Sequence, residues 1–171
     1  DPSCQKFERV KDEKLRLWLA EDQESDREDL TEVTAGEAFE DGLLINELMA
    51  YHVTYAKMLL EDLGVPEENI RLREQVSGER AHYSKETWDL EVYSERFGWI
   101  EVAGIAYRTD YDLSRHSDYL DTDMSVFYQE EGAEEGKRVL PHVVEPSFGI
   151  DRVLYCVLET SYSEDDGREY F

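Results

Sequence analysis

The stretch Val139–Glu159, VLPHVVEPSFGIDRVLYCVLE, constrains the fold more than any other part of the chain. A short apolar run of Val139, Leu140, Val143 and Val144 is broken by Pro146 and Gly149, and the apolar positions then change period. Ile150, Val153, Leu154, Val157 and Leu158 follow the i, i+3, i+4, i+7, i+8 pattern of one buried helix face. The order is strand, turn, helix, with the strand predicted over Val139–Val144 and the helix over Gly149–Glu159. Glu145 and Ser147 fall in the turn, and Asp151 and Arg152 fall in the first helical turn away from the apolar stripe. The positive end of the helix dipole disfavours an arginine there unless an anion is bound nearby, and phosphate is such an anion. Pairing of Arg152 with a surface acid is the alternative.

Upstream, Leu15, Leu17 and Leu19 alternate with Arg16 and Trp18, which predicts a strand over Lys14–Ala20. Glu21–Glu32 reads as a charged loop. Thr34 and Glu37 form a T-x-x-E capping box that opens one long helix, expected over Gly36–Leu63 and closed by Gly64 with Pro66 beyond. Its expected buried stripe is Leu44, Leu48, Tyr51, Tyr55, Leu59 and Leu63, widened by Ile45, Met49, His52 and Ala56. Asn69–Gln75 reads as a strand whose Arg71 and Arg73 share one face and pair with an acidic neighbour or with RNA. Thr87–Ser94 and Gly98–Ala106 read as a hairpin turning at Arg96–Gly98. On the second of these strands Trp99, Glu101, Ala103 and Ile105 are expected on one face, so Glu101 needs a cation or a ligand there. Arg108–His116 reads as a polar loop with a short helix from Asp112, and Ser117–Lys137 as a loop. The fold class is α+β: an antiparallel sheet flanked by helices.

Acidic residues outnumber basic ones 42 to 18, for a formal charge of −24. Such a surface repels nucleic acid in bulk, so no DNA partner is expected and any RNA contact must be local. With 40% hydrophobic residues the chain is expected to fold, which points to adaptation to high salt rather than to an acidic disordered tail. Cys4 and Cys156 read as reduced thiols of a cytoplasmic protein. The four histidines show no metal-ligand spacing, and no apolar run is long enough to span a bilayer.

EPSFGIDR followed by an apolar helix resembles motif 3 of the class II aminoacyl-tRNA synthetases, in the form typical of glycyl-tRNA synthetase. GWIEVAGIAYRTDYDLSRHS (Gly98–Ser117) and AHYSKETWDLE (Ala81–Glu91) are similar to the family's central strand and to the segment before it. The three blocks occur in the family's order. The Arg-x-Glu core of motif 2 is not found, since RLRE does not fit it.

The resemblance implies ATP-dependent activation of glycine to glycyl-adenylate and transfer to the 3′ end of tRNA(Gly). It places Arg152 and Glu101 as the catalytic pair, with Arg152 on the terminal phosphate of ATP and Glu101 toward Mg²⁺. ATP contacts are expected from Glu101, Val102, Gly149, Ile150, Asp151 and Arg152. Glycine contacts are expected from Glu145, Pro146, Ser147, Phe148 and Gly149, with Glu145 accepting from the ammonium and, with Ser147, crowding the α-carbon against a methyl group. Motifs 1 and 2 would lie before Asp1 and the anticodon-binding domain after Phe171. Residues 1–80 then read as a strand plus a helical, insertion-like segment and residues 81–171 as the catalytic core, inactive alone and part of a homodimer when full-length. The alternative is a synthetase-like paralogue or accessory subunit that binds ligand or RNA without ligating.

Overall fold

A computed structural model describes residues 4–129, 132, 134–165 and 167–170. In chain order the elements are β1 (Lys14–Trp18), α1 (Ala20–Glu24), β2 (Thr31–Thr34), α2 (Ala35–Glu40), α3 (Glu47–Asp62), β3 (Ile70–Glu74), β4 (Glu86–Ser94), β5 (Gly98–Thr109), α4 (Tyr111–Leu120), β6 (Val126–Tyr128), β7 (Lys137–Val139), β8 (Val143–Phe148), α5 (Ile150–Ser161), β9 (Ser163–Asp165) and β10 (Arg168–Tyr170). Six strands make one sheet in the order β2-β1-β3-β4-β5-β8, antiparallel except where β1 runs parallel to β3. The hairpins β6–β7 and β9–β10 stand outside it. The expected α+β class holds.

One face of the sheet carries Leu15, Leu17, Ile70, Leu72, Trp88, Leu90, Val92, Ala103 and Ile105, all buried, and helices α3 and α5 contact β4 and β5. Burying this apolar surface supplies most of the driving force for the packing, at about 25 cal/mol per Å².

Several local expectations change; one is the segment Ser117–Lys137, read as a loop, which carries the end of α4, the strand β6 and the first residue of β7. The capping box is present, with Thr34 accepting from the Glu37 N–H, but it opens only the short α2. The chain breaks at Gly42, which adopts φ 75°, and restarts at α3, where Asn46 caps by accepting from the Met49 N–H at 2.8 Å. Two helix starts in place of one rotate the stripe: α3 buries Met49, Ala50, Val53, Thr54, Ala56, Lys57 and Leu60, while Tyr55, Leu59 and Leu63 are exposed. The segment Glu21–Glu32, read as a loop, contributes α1 and the start of β2. The strand predicted over Val139–Val144 instead begins at Val143 and runs through Pro146 to Phe148. β8 is an edge strand, and an edge tolerates a proline because the missing N–H can face away from the ladder. In α5 only Cys156 is fully buried, with Val153, Tyr155 and Val157 half-buried, and the predicted stripe members Ile150, Leu154 and Leu158 are exposed.

Candidate active site

The opposite face of the sheet is polar, and the strand register fixes its layout. β3 presents Arg71 and Arg73, paired with Glu91 and Asp89 of β4. β4 and β5 pair Asp89 with Gly104 and Glu91 with Glu101, and β5 and β8 pair Gly104 with Ser147 and Ala106 with Glu145. Residues directly opposite one another on paired strands share a face. Glu101, Gly104, Ala106, Asp89, Glu91, Glu145 and Ser147 therefore look out on the same side.

The two arginines of β3 are neutralised inside the chain. Arg71 donates to Glu91 at 2.6 Å and lies between the Trp18 and Trp99 rings, its guanidinium carbon 4.2 Å from each centroid. Arg73 bonds Asp89 at 3.1 Å and Glu79 at 2.6 Å. The acidic neighbours expected as partners for this pair of residues are present, as Glu91 and Asp89. Burial pushes the Asp89 carboxyl up, Gln75 and Arg73 draw it down, and Glu101 adds to the rise.

Glu101 does not share a face with Ala103 and Ile105. The β4–β5 register shifts at Leu90/Glu91, so Val102 is an extra residue on β5 and the pleat changes phase across it. Trp99 and Glu101 stay on the polar side, whereas Ala103 and Ile105 turn into the core. The Glu101 side chain is 49% exposed, so no isolated buried carboxylate arises.

The same bulge positions the start of α5. The Gly149 N–H donates to the Val102 carbonyl at 2.8 Å, and Arg152 Nη1 donates to the Glu101 carbonyl at 2.8 Å. Arg152 Nη1 also lies 3.8 Å from Glu101 Oε2. No side chain caps α5 at Gly149, which leaves first-turn N–H groups for an anion, and Ile150, Asp151 and Arg152 are all exposed there.

Glu145 lies at the other end of β8. Arg108 Nη1 donates to Glu145 Oε2 at 2.6 Å, and the same guanidinium grips Asp112 through Nε at 2.6 Å and Nη2 at 2.8 Å. The Tyr83 ring faces that guanidinium at 3.9 Å. The hydrogen bond from Arg108 holds the Asp112 carboxyl below its usual range, and the two acids hold the Arg108 charge firmly. Thr109, at φ 53°, turns the chain from β5 into α4 and brings Asp112 back to Arg108. Tyr107 Oη and His142 Nδ1, 2.5 Å apart, tie β5 to the approach of β8.

Glu101, Val102, Glu145, Ser147, Gly149 and Arg152 are thus gathered around β5, β8 and the start of α5. Pro146 and Phe148 belong to the same strand, Pro146 opposite Ile105 and Phe148 opposite Ala103, so they face away from the polar side. Two clefts lie elsewhere, one beside Lys14, Arg16, Glu32 and Glu68 and one beside Tyr93, Tyr155, Leu158 and Tyr162; neither includes a residue named for the site. Sequence reasoning left Asp89 and Tyr83 out of the site and read Arg108 and Asp112 either as solvated surface or as the rim of an active site. The i, i+4 spacing of Arg108 and Asp112 at a helix start was a usable signal for their pairing. Among the described residues no group of three or more His, Cys, Asp or Glu is arranged to hold a metal ion, and no helix is long and apolar enough to cross a membrane.

No family model matches the chain. Curated relatives do. The glycine–tRNA ligase of Pyrococcus abyssi is 38% identical over 96% of this chain and 41% of its own length. That of Pyrococcus furiosus is 37% identical over the same shares, and that of Methanocaldococcus jannaschii is 33% identical over 97% of this chain and 42% of its own length. The first of these alignments runs to 236 positions against a chain of 171 residues, so the relatives carry positions within the matched stretch that this chain lacks. The chain spans about 41% of the length of the relatives it matches. Over that matched portion, it belongs to the glycine–tRNA ligase family.

Proposed function

We propose that the polar face of β5 and β8, with the start of α5, is part of a site that activates glycine with ATP and passes it to tRNA(Gly). The observation that carries this reading is the juxtaposition of two sets of groups on one sheet face. Glu145 and Ser147 stand at one end, and Glu101, Arg152 and the uncapped start of α5 stand at the other. An amino-acid carboxylate attacks the α-phosphate of ATP, the bond to the bridging oxygen breaks, and pyrophosphate leaves. No enzyme nucleophile is needed; positioning and charge stabilisation do the work.

Arg152 is the residue for the terminal phosphate. Its side chain is 58% exposed and its contact with Glu101 Oε2 is long, so an incoming phosphate can take the guanidinium without breaking a buried ion pair. Backbone N–H groups from Ile150 to Arg152 add donors at the same place. Glu101 fits Mg²⁺ only in company with ATP phosphates, which is how Mg²⁺ is ordinarily held; bound there, the ion would shield phosphate charge. Glu145 accepts from the glycine ammonium, and Ser147 beside it limits space at the α-carbon.

The class II assignment, a cytoplasmic setting, a homodimeric whole enzyme and adaptation to high salt belong to the same reading. They rest on the motif 3 resemblance, on the relatives' name and on the acidic composition. The test is glycine-dependent exchange of pyrophosphate into ATP by the complete polypeptide that carries this chain. Exchange that needs glycine and is lost in Arg152→Ala is expected. Binding of ATP or RNA with no exchange would refute the reading in favour of a non-ligating paralogue.

A further inference from the structure

Residues 80–85, RAHYSK, carry Arg80, His82 and Lys85 and no acid, in a chain whose formal charge is −24. This loop is fixed on the end of β5. Arg80 donates to the Lys85 carbonyl, the Ser84 N–H to the Ala81 carbonyl at 2.9 Å, and the Lys85 N–H to the Tyr107 carbonyl at 2.9 Å. The start of α4 meets the loop through rings. Tyr111 lies 5.7 Å from the His82 ring and 6.5 Å from the Tyr83 ring, and the Arg115 guanidinium stands over Tyr111 at 5.3 Å. His82, Lys85, Arg115 and His116 are exposed. Among the acids adjoining these segments, Glu79 is taken by Arg73, Glu86 by Trp88 and the Ile45 N–H, and Asp112 by Arg108; Asp110 and Asp118 are the others.

Aromatic rings interleaved with exposed cations suit unpaired nucleotides, whose bases stack on the rings while the cations meet the phosphates. An acidic protein segment would use the cations and leave the rings idle. A protein this acidic gains no long-range attraction to RNA, so its RNA contacts are made at short range by such a patch. Its place in the fold fits the same ligand. Arg108 donates to Glu145 at 2.6 Å and faces the Tyr83 ring at 3.9 Å, so the patch stands one side chain from Glu145, and Arg152 lies at the other end of the site. In the transfer step a ribose hydroxyl oxygen attacks the glycyl carbonyl carbon, the bond from that carbon to the AMP oxygen breaks, AMP leaves, and the hydroxyl proton passes to the departing phosphate. AMP holds the Arg152 end until then, which leaves the Tyr83 end for the RNA.

We propose that the loop of residues 80–85 and the start of α4 seat the unpaired 3′-terminal nucleotides of the RNA substrate, with bases on the His82, Tyr83 and Tyr111 rings and phosphates at Lys85 and Arg115. This rests on the reading of the site as one that passes glycine to tRNA, and adds the surface on which the RNA end lies.

The test uses the complete ligase with tRNA(Gly), and with the same RNA trimmed of its unpaired 3′-terminal nucleotides. Tyr111→Leu removes a ring and keeps apolar bulk; Lys85→Gln combined with Arg115→Gln removes two charges. Each should weaken binding of the intact tRNA by about fivefold or more, the range of one lost base stack, and should bind the trimmed RNA as the parent does. The charge variant should also flatten the fall of affinity with salt, whereas Tyr111→Leu should leave that slope as it was. Pyrophosphate exchange without RNA, and Tm, should match the parent. Unchanged binding of the intact tRNA would overturn the proposal. So would an equal loss on the intact and trimmed RNAs, which would put the patch against another part of the RNA. Slower exchange or a lower Tm in both variants would also overturn it, and make the rings a packing element. The two levels separate in the same assays: if the parent exchanges with glycine and the variants bind tRNA as it does, only this inference fails, and if the parent shows no glycine-dependent exchange, the reading of the site fails with it.

Discussion

Arg108 and Glu145 form a 2.6 Å ion pair across the β5–β8 edge, and the same guanidinium is held by Asp112 through two further hydrogen bonds. The pair fixes where the Glu145 carboxylate points, and Glu145 Oε1 is the oxygen this contact does not engage. A ligand ammonium at Glu145 would share the carboxylate with Arg108 rather than replace it.

Glu145→Ala in the complete ligase is therefore expected to lower glycine activation by roughly one to two decades, the loss of one hydrogen bond to a charged partner at about 1.5–3 kcal/mol. Alanine activation should fall much less, because the methyl group gains the vacated volume. Pyrophosphate exchange with both amino acids measures the ratio. An equal fall for the two would mean that Glu145 serves only as the structural partner of Arg108.

The polar face was legible in outline from sequence and wrong in phase. Alternation placed Glu101 with Ala103 and Ile105, and a single extra residue at Val102 moved it to the side of Glu91 and Gly104. A bulge leaves no mark in a pattern of period two until the partner strand is known. The stripes of α3 and α5 were placed only in part: Leu44, Met49 and Ala56 are buried and Val153 and Val157 half-buried as expected, but Tyr55, Leu59 and Leu63 repeat at the same spacing as buried residues, and periodicity alone does not say which side meets the sheet. The succession of a strand and then α5, the β4–β5 hairpin and the capping box were legible because each rests on local chemistry, whereas the turn expected at Glu145 and Ser147 is part of β8. The grip of Arg108 on Glu145 depends on a contact between residues 37 positions apart and was not legible.

Glu86 makes a pH prediction. Its buried carboxylate accepts from Trp88 Nε1 at 2.8 Å and from the Ile45 N–H at 3.0 Å, anchoring the α2–α3 connection to β4, and burial raises its pKa to about 7. The folded pKa lies above the unfolded one, so its contribution to stability is complete below about 4.5 and is lost as pH rises toward 7. The loss is on the order of 3 kcal/mol. Glu86→Gln cannot ionise, but its amide NH₂ opposes one of the two donors. The variant should melt below the parent at pH 5, and the gap should close by pH 8. Parallel Tm curves across that range would refute the assignment.

The Arg71–Glu91 pair is buried, with about a tenth of each side chain exposed, and lies in the Trp18–Trp99 stack. Glu91→Ala leaves that guanidinium without its acid and should cost about 3–5 kcal/mol. Arg71→Met together with Glu91→Leu should cost less than Glu91→Ala alone, because no charge is left stranded. Denaturant melts of the three proteins test the order.

Charge and salt give a further prediction. With a net charge of −24, the folded chain concentrates repulsion that the unfolded chain relaxes. The Debye length falls from about 10 Å at 0.1 M to 3 Å at 1 M salt, so screening should favour the folded state. Tm should rise as KCl is increased from dilute buffer toward molar concentration, and a fall would count against a salt-adapted surface.

Arg152→Ala should behave unlike Glu145→Ala. Arg152 touches the Glu101 carbonyl and lies at the uncapped start of α5, at the end of the site away from Glu145 and Arg108. Its removal takes a cation from the phosphate end and leaves the amino-acid end as it was. Exchange supported by glycine and by alanine should therefore slow by the same factor, and the KM for ATP should rise while that for glycine changes little. The fold should tolerate the change, since the side chain is 58% exposed. A selective loss of glycine exchange, with ATP binding intact, would place Arg152 at the amino acid instead and reverse the polarity of the site along β5.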